Sequence, residues 1–229
     1  MRVGVLYSGG KDSTFAAYLA TLYGWEVCCL ISLKSRNSAS YMFHTPNIEL
    51  VKLQAQAMEI PLVFHETSGE KEKELTDLHD ALAFSKKKYH LSGIVAGALY
   101  SDYQQERVNR VCYDLDLKTF APQWHVAQDF LVKEMIDLGF EIIFSAVAAE
   151  GFDEHWLGRR FDASTYQELL KLHERSGIHI AGEGGEYESL VLDCPLFKKR
   201  IVVRDAGIVM ESSCSGVYVI NEAVLEINH

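Results

Sequence analysis

Through its first half the chain alternates short runs that are apolar almost throughout with stretches whose apolar residues recur every three to four positions. Val3 to Tyr7 is one such run. Phe15, Leu19 and Leu22 then stand at i, i+4 and i+7, and Gly24 can close the helix they predict. Val27 to Leu33 is a second run, apolar as a strand covered on both faces should be. Thr45-Pro46 reads as a cap followed by proline in a first turn, and Ile48, Val51, Ala55 and Met58 hold helical spacing behind it. Leu62 to Phe64 and Ile94 to Leu99 read as further strands. Leu75, Leu78 and Leu82, and later Val108, Val111 and Leu115, mark two more helices. This order predicts an α/β fold with a doubly wound parallel sheet. The working crevice of such a sheet lies beyond the carboxyl ends of its strands, where the strand order reverses.

After about Trp124 the pattern changes. Leu131, Met135 and Leu138, closed by Gly139, predict one more helix, and Glu141 to Val147 a strand. Ser164 and Gln167 have the spacing of a capping box, opening a helix that Gly177 ends. From Tyr187 on, five short strand-like runs follow: Ser189–Leu192, Arg200–Val203, Ile208–Met210, Val217–Ile220 and Val224–Ile227. A smaller α+β domain with an antiparallel part is expected over 125–229, after a first domain over 1–124. No Pro/Gly/Ser-rich linker separates them, so a cleft shared by both is expected.

The seam between the first strand and the first helix reads Tyr7-Ser8-Gly9-Gly10-Lys11-Asp12-Ser13. Glycines there let a phosphate approach the main chain, and successive N–H groups form an anion nest. The helix start, expected near Asp12–Ser13, adds its positive end. Ser8 and Ser13 bring hydroxyl donors and Lys11 a compact positive charge. Asp12 can cap the helix or help hold a magnesium ion that bridges phosphate oxygens. Neither G-x-x-x-x-G-K-[ST] nor G-x-G-x-x-G is present at the seam, which excludes the mononucleotide P-loop and the dinucleotide fingerprint.

SGGKDS resembles the pyrophosphate loop of the N-type ATP pyrophosphatases. The fold this implies for the first domain is that of the adenine-nucleotide alpha hydrolases. Such enzymes cleave ATP between the α and β phosphates and attach AMP to a substrate oxygen, after which ammonia, an amine or sulfur attacks the adenylated carbon. Two more segments narrow the resemblance: GALYSDYQQERV from Gly97 to Val108, and GEGGEYESLVLD from Gly182 to Asp193. With SGGKDS they are similar to the diphthine–ammonia ligase family, over nearly the whole chain. That resemblance implies ATP and ammonium as substrates and a diphthine-bearing translation elongation factor 2 as partner. The products it implies are diphthamide, AMP and pyrophosphate. Eukaryotic relatives often carry extra C-terminal domains, and a chain that ends without them resembles the short archaeal form.

Within those blocks, Gly97 can let the backbone approach adenine or ribose. Asp102, Tyr103, Glu106 and Arg107 are expected at the switch point, facing substrate, although a helix cap and a solvated helix face account for Asp102, Glu106 and Arg107 as well. Glu183, Glu186 and Glu188 interleave with glycines and Tyr187. Carboxylates and an aromatic face suit both a quaternary trimethylammonium and ammonium, and a carboxylate can take the proton that turns ammonium into a nucleophile. All three are expected to reach the SGGKDS loop across the cleft. Arg159, in Gly158-Arg159-Arg160, can clamp pyrophosphate or a carboxylate. His44 can border the nucleotide.

Charge bounds the partners. A formal net charge of −10 argues against a nucleic-acid surface. No apolar run approaches the roughly 20 residues that span a bilayer, and no signal peptide precedes the first strand, so a cytoplasmic protein is expected. Five cysteines without a C-x-x-C pair fit a reducing compartment and buried packing roles. Two other classes stay open: a tRNA-modifying member of the same superfamily and a non-catalytic adenine-nucleotide binder. Acidity and the missing cysteine pair disfavour the first; Lys11, Asp12 and the second-domain carboxylates disfavour the second.

Overall fold

The computed structural model describes residues 1–35, 47–68, 71–97 and 102–227. Five strands build the first sheet: β1 (Arg2–Leu6), β2 (Glu26–Ser35), β3 (Leu62–Thr67), β4 (Gly93–Val95) and β5 (Lys118–Phe120). Their connections are α1 (Lys11–Leu22), α2 (Val51–Met58), α3 (Lys71–Tyr89) and α4 (Asp102–Asp114). All pairings are parallel, in the order β3-β2-β1-β4-β5. The order reverses between β1 and β4, so the loops leaving these two strands flank the crevice. Those loops carry SGGKDS and the start of the GALYSDYQQERV block.

The second half supplies α5 (Gln128–Asp137), β6 (Glu141–Ala148), α6 (Ala163–Ser176), β7 (Tyr187–Asp193), β8 (Lys199–Met210) and β9 (Ser215–Ile227). Its sheet is antiparallel, ordered β7-β6-β9-β8. The two halves are not independent bodies. Phe15 and Tyr18 of α1 meet Phe140 edge-on at 5.7 and 5.8 Å. One buried cluster runs without a break from Val3, Val5 and Phe15 to Phe144, Leu190 and Ile201. A second cluster, holding Leu78, Leu82, Val108 and Val111, fills the space under α3 and α4 on the other face.

Several expectations change in detail. β5 is three residues of half-exposed edge, too short for a period to register. β4 ends at Val95, Ala96 and Gly97 lie outside the strand, and the rest of the expected run to Leu99 lies outside the described residues. The four short runs after Arg200 are two long strands. Asp205 and Asn221, which lie between those runs, sit at a register irregularity within the hairpin and bond each other at 2.9 Å. The capping box of α6 is formed by Asp162 and Thr165 rather than Ser164 and Gln167, while Gly177 closes that helix as expected at φ 69°. Thr45-Pro46 and His44 lie outside the described residues. All five cysteines are free, and only Cys214 is not buried. Among the described residues no helix is long and apolar enough to cross a membrane.

Candidate functional site

The seam after β1 turns on Gly9, whose φ of 83° suits glycine. Gly10 is the N-cap of α1, so the helix begins at Lys11, one residue ahead of the expected start, and Asp12 lies in its first turn rather than at its cap. The Ser13 and Thr14 hydroxyls both donate to the Gly10 carbonyl, at 3.1 and 2.9 Å. The Gly10 N–H donates to Ser8 Oγ at 3.4 Å, and Ser8 Oγ lies 3.2 Å from Ser13 Oγ. Weak internal bonds of this kind are easily exchanged for those of an anion at a helix N-terminus.

The second half closes over this loop. Ser189 Oγ accepts from the Lys11 backbone N–H at 3.1 Å, and Val191 N–H donates to the Gly9 carbonyl at 3.1 Å. Lys11 is 3% exposed. Its ammonium donates to Asp12 Oδ2 at 2.7 Å and to the Ala181 carbonyl at 2.5 Å, and lies 5.4 Å from the centre of the Tyr187 ring. A buried ammonium needs such partners. Asp12 Oδ1, by contrast, is buried with no hydrogen-bond partner among the described residues. An orphaned carboxylate oxygen in the first turn of a helix is a donor that suits a hard cation such as magnesium.

A cleft of about 450 Å³ lies between these parts. Ser8, Gly10, Lys11, Asp12 and Ser13 line it from one side, and Glu183, Tyr187 and Glu188 from the other. Leu6, Ile31, Leu33, Ile48 and Val108 give it an apolar end. Glu188 is exposed where it lines the cleft, and the protein around it removes part of its hydration. That desolvation pushes its carboxyl up to about 7; Lys11 opposes the rise and Asp12 adds to it. Burial also raises Tyr187, whose hydroxyl donates to the Ile180 carbonyl at 2.6 Å.

The site differs from the sequence reading at several residues. Glu186 does not line the cleft: its Oε1 accepts the His179 N–H at 2.6 Å, which ties the acidic segment to the chain before it. The strand begins at Tyr187, so alternation sends Tyr187 inward and Glu188 outward, and Glu186 falls before that pattern starts. Tyr187 packs among Phe144, Phe152 and Phe161 with only its ring face beneath Lys11, so it anchors the segment. Arg159 is held by Glu168 through two bonds of 2.8 and 2.6 Å and lies apart from the cleft. On α4 the cleft is lined by Gln104, Gln105 and Val108; Asp102 and Glu106 are exposed, and Arg107 is half-buried outside the lining. Residues 98–101 and the Tyr103 side chain lie outside the described residues.

Gly97 lines the cleft, but its need for glycine has another cause. A Cβ there would stand 2.7 Å from the Asp12 carbonyl carbon and Ser13 nitrogen, in the backbone of the first turn of α1. Gly97→Ala must push that turn away. We expect a loss of about 1–3 kcal/mol in denaturant unfolding, together with weaker ATP binding.

Sequence reasoning also missed Ser189 and two buried glutamines, Gln54 and Gln123; Gln123 donates to the Asp12 carbonyl at 2.7 Å. Gln54 carried a readable signal, a polar residue at the i+3 position of the stripe Val51, Ala55, Met58.

Comparison with known proteins places this arrangement. The family model for the diphthamide synthase N-terminal domain matches residues 1–119, and that for the C-terminal domain matches residues 127–225. A protein of Danio rerio named diphthine–ammonia ligase is 38% identical over 231 residues, covering 93% of this chain and 90% of that one. The Homo sapiens protein of that name is 35% identical over 235 residues, 93% of this chain and 86% of its own. The Schizosaccharomyces pombe one is 34% identical, and the match spans 38% of its length. A solved structure described as a predicted subunit of tRNA methyltransferase, from Methanocaldococcus jannaschii, is similar at 15% identity with a TM-score of 0.45, over 85% of this chain and 98% of that one. Matched by both domain models in order, and by ligases of that name along 93% of its length, the chain belongs to the diphthamide synthase family.

Proposed function

We propose that the chain is a diphthine–ammonia ligase: it uses ATP to convert the diphthine carboxylate of translation elongation factor 2 into an amide. The observation that carries this reading is the docking of the Gly182–Ser189 segment onto the phosphate loop, with Lys11 shared between Asp12 and the Ala181 carbonyl. One cleft then offers a phosphate cradle and, facing it, carboxylates suited to cations.

The roles follow from the lining. The apolar end of the cleft takes the adenine, and the triphosphate runs to Ser8–Ser13. Magnesium held by Asp12 and phosphate oxygens would supply charge neutralisation. The diphthine carboxylate oxygen attacks the α-phosphorus, the bond to the β-phosphate bridging oxygen breaks, and pyrophosphate leaves with that electron pair. Lys11 and the α1 N-terminus oppose the charge that develops on it. Glu183 and Glu188 hold the trimethylammonium group by charge. Ionised Glu188 then takes one proton from ammonium. The ammonia nitrogen attacks the acyl carbon, the carbon–oxygen bond to AMP breaks, and the adduct's extra proton passes to water.

Spent nucleotide separates this chemistry from a kinase or ATPase. With elongation factor and ammonium present, chromatography is expected to show AMP and pyrophosphate accumulating together. ADP with inorganic phosphate as the main products would contradict the reading. Amide formation on the factor distinguishes it from both a tRNA-modifying enzyme and a nucleotide binder.

A further inference from the structure

Gln54 of α2 is fully buried, 0% exposed, and lies in the first half of the chain. Its Nε2 donates one proton to the Gly9 carbonyl at 2.9 Å and the other to the Val191 carbonyl at 2.8 Å. Gly9 belongs to the phosphate loop, and Val191 to the strand that carries Glu188 and Ser189. One carboxamide therefore ties three pieces: α2, the loop and β7. Its Oε1 is buried without a hydrogen-bond partner among the described residues and stands 2.4 Å from where a Cβ of Gly9 would be.

A glutamine is an expensive way to fill a core. A methionine occupies similar volume without leaving a buried oxygen unpaired. What the amide supplies is two donors from one nitrogen, aimed at two carbonyls from different parts of the fold. The Gly9 carbonyl, held by Gln54 and by Val191 N–H together, points away from the cleft. The N–H groups that follow it bond side chains that line the cleft, Gly10 to Ser8 Oγ and Lys11 to Ser189 Oγ.

We infer that Gln54 is a positioning residue that fixes the spacing between the phosphate loop and the strand bearing Glu188. The inference rests on the function proposed above, in which the carbon adenylated at the loop must also be reached by ammonia from the Glu188 side. Misplacement of one side relative to the other costs both steps, and the second most. An acyl-adenylate that waits for its amine is open to water.

The test is Gln54→Met, which keeps the volume and removes both donors, assayed with ATP, ammonium and diphthine-bearing elongation factor. Positioning predicts that kcat for amide formation falls roughly 10- to 100-fold while KM for ATP holds. It also predicts that fewer amides form per AMP released than in the parent. Unchanged kcat and an unchanged amide-to-AMP ratio per folded molecule would overturn the inference, whether or not the thermal midpoint falls. If Gln54→Met does not fold, Gln54→Glu decides. Ionised, it has no donor; protonated, it regains one. Its kcat relative to the parent must rise as pH falls, and a flat ratio would overturn the inference. A parent chain that forms AMP but no amide would overturn the function and this inference together. A normal parent with an indifferent variant overturns only the inference.

Discussion

Lys11→Met is expected to lower pyrophosphate release by about 10²–10³-fold, the usual loss when one preorganised charge is removed from a transition state. Methionine is the better replacement than alanine because the structure corrects a simple expectation. A lysine at a strand end facing phosphate should bury little, but Lys11 is 3% exposed and its stem packs in the core between the halves. Alanine would add a cavity to the loss of charge. With methionine the stem is kept, and the loss reads on the ammonium alone. Release at the parental rate under saturating substrates would remove Lys11 from the reaction.

Glu188→Gln is expected to abolish most amide formation, keep ATP binding, and leave the protein at least as stable as the parent above neutral pH. The stability sign follows from the raised carboxyl. The folded chain holds the Glu188 proton up to about 7, whereas the unfolded chain gives it up near 4.5. Between these values the unfolded state binds fewer protons, so stability falls as pH rises through them, and the penalty persists above 7. Glutamine has no proton to lose and avoids that penalty. Thermal melts of parent and variant at pH 5 and pH 8 measure it: the variant gains on the parent at the higher pH. The rate sign is opposite. In the proposed mechanism ionised Glu188 is the base that acts on ammonium, so amide formation at constant ammonium concentration rises as pH rises through about 7 in the parent, and Glu188→Gln lacks that limb. The charges of Lys11 and Asp12 act on this carboxyl in opposite directions. A variant that amidates at the parental rate would make the acidic segment structural.

The strand–turn–helix seam at Ser8–Ser13 was legible because its signals are local. Glycines, hydroxyls and a lysine between a strand and a helix have few other uses. The acidic segment was legible as composition, but not as geometry. Which of Glu183, Glu186 and Glu188 faces the cleft depends on where β7 begins, and a start at Ser189 instead of Tyr187 hides the alternation. Gln54 and Ser189 meet partners 137 and 178 residues away; the helical stripe marks Gln54 as a polar residue on a buried face, but no local pattern names either partner. Arg159 looked like an anion clamp because sequence shows a guanidinium but not the carboxylate of Glu168 folded against it. The fold was read correctly where apolar runs were long. It failed at β5, where three edge residues carry no period, and in the hairpin of β8 and β9, where a bulge absorbs residues that elsewhere make turns.

The central claim is that one cleft performs both adenylation and amide formation. Incubation of the chain with ATP, ammonium labelled with heavy nitrogen, and elongation factor 2 bearing diphthine, followed by mass spectrometry of the modified peptide, tests it directly. The account predicts heavy nitrogen in an amide at the diphthine carboxylate, formed only with ATP and accompanied by AMP. An unmodified peptide, under conditions where the chain binds ATP and the factor is intact, would contradict it.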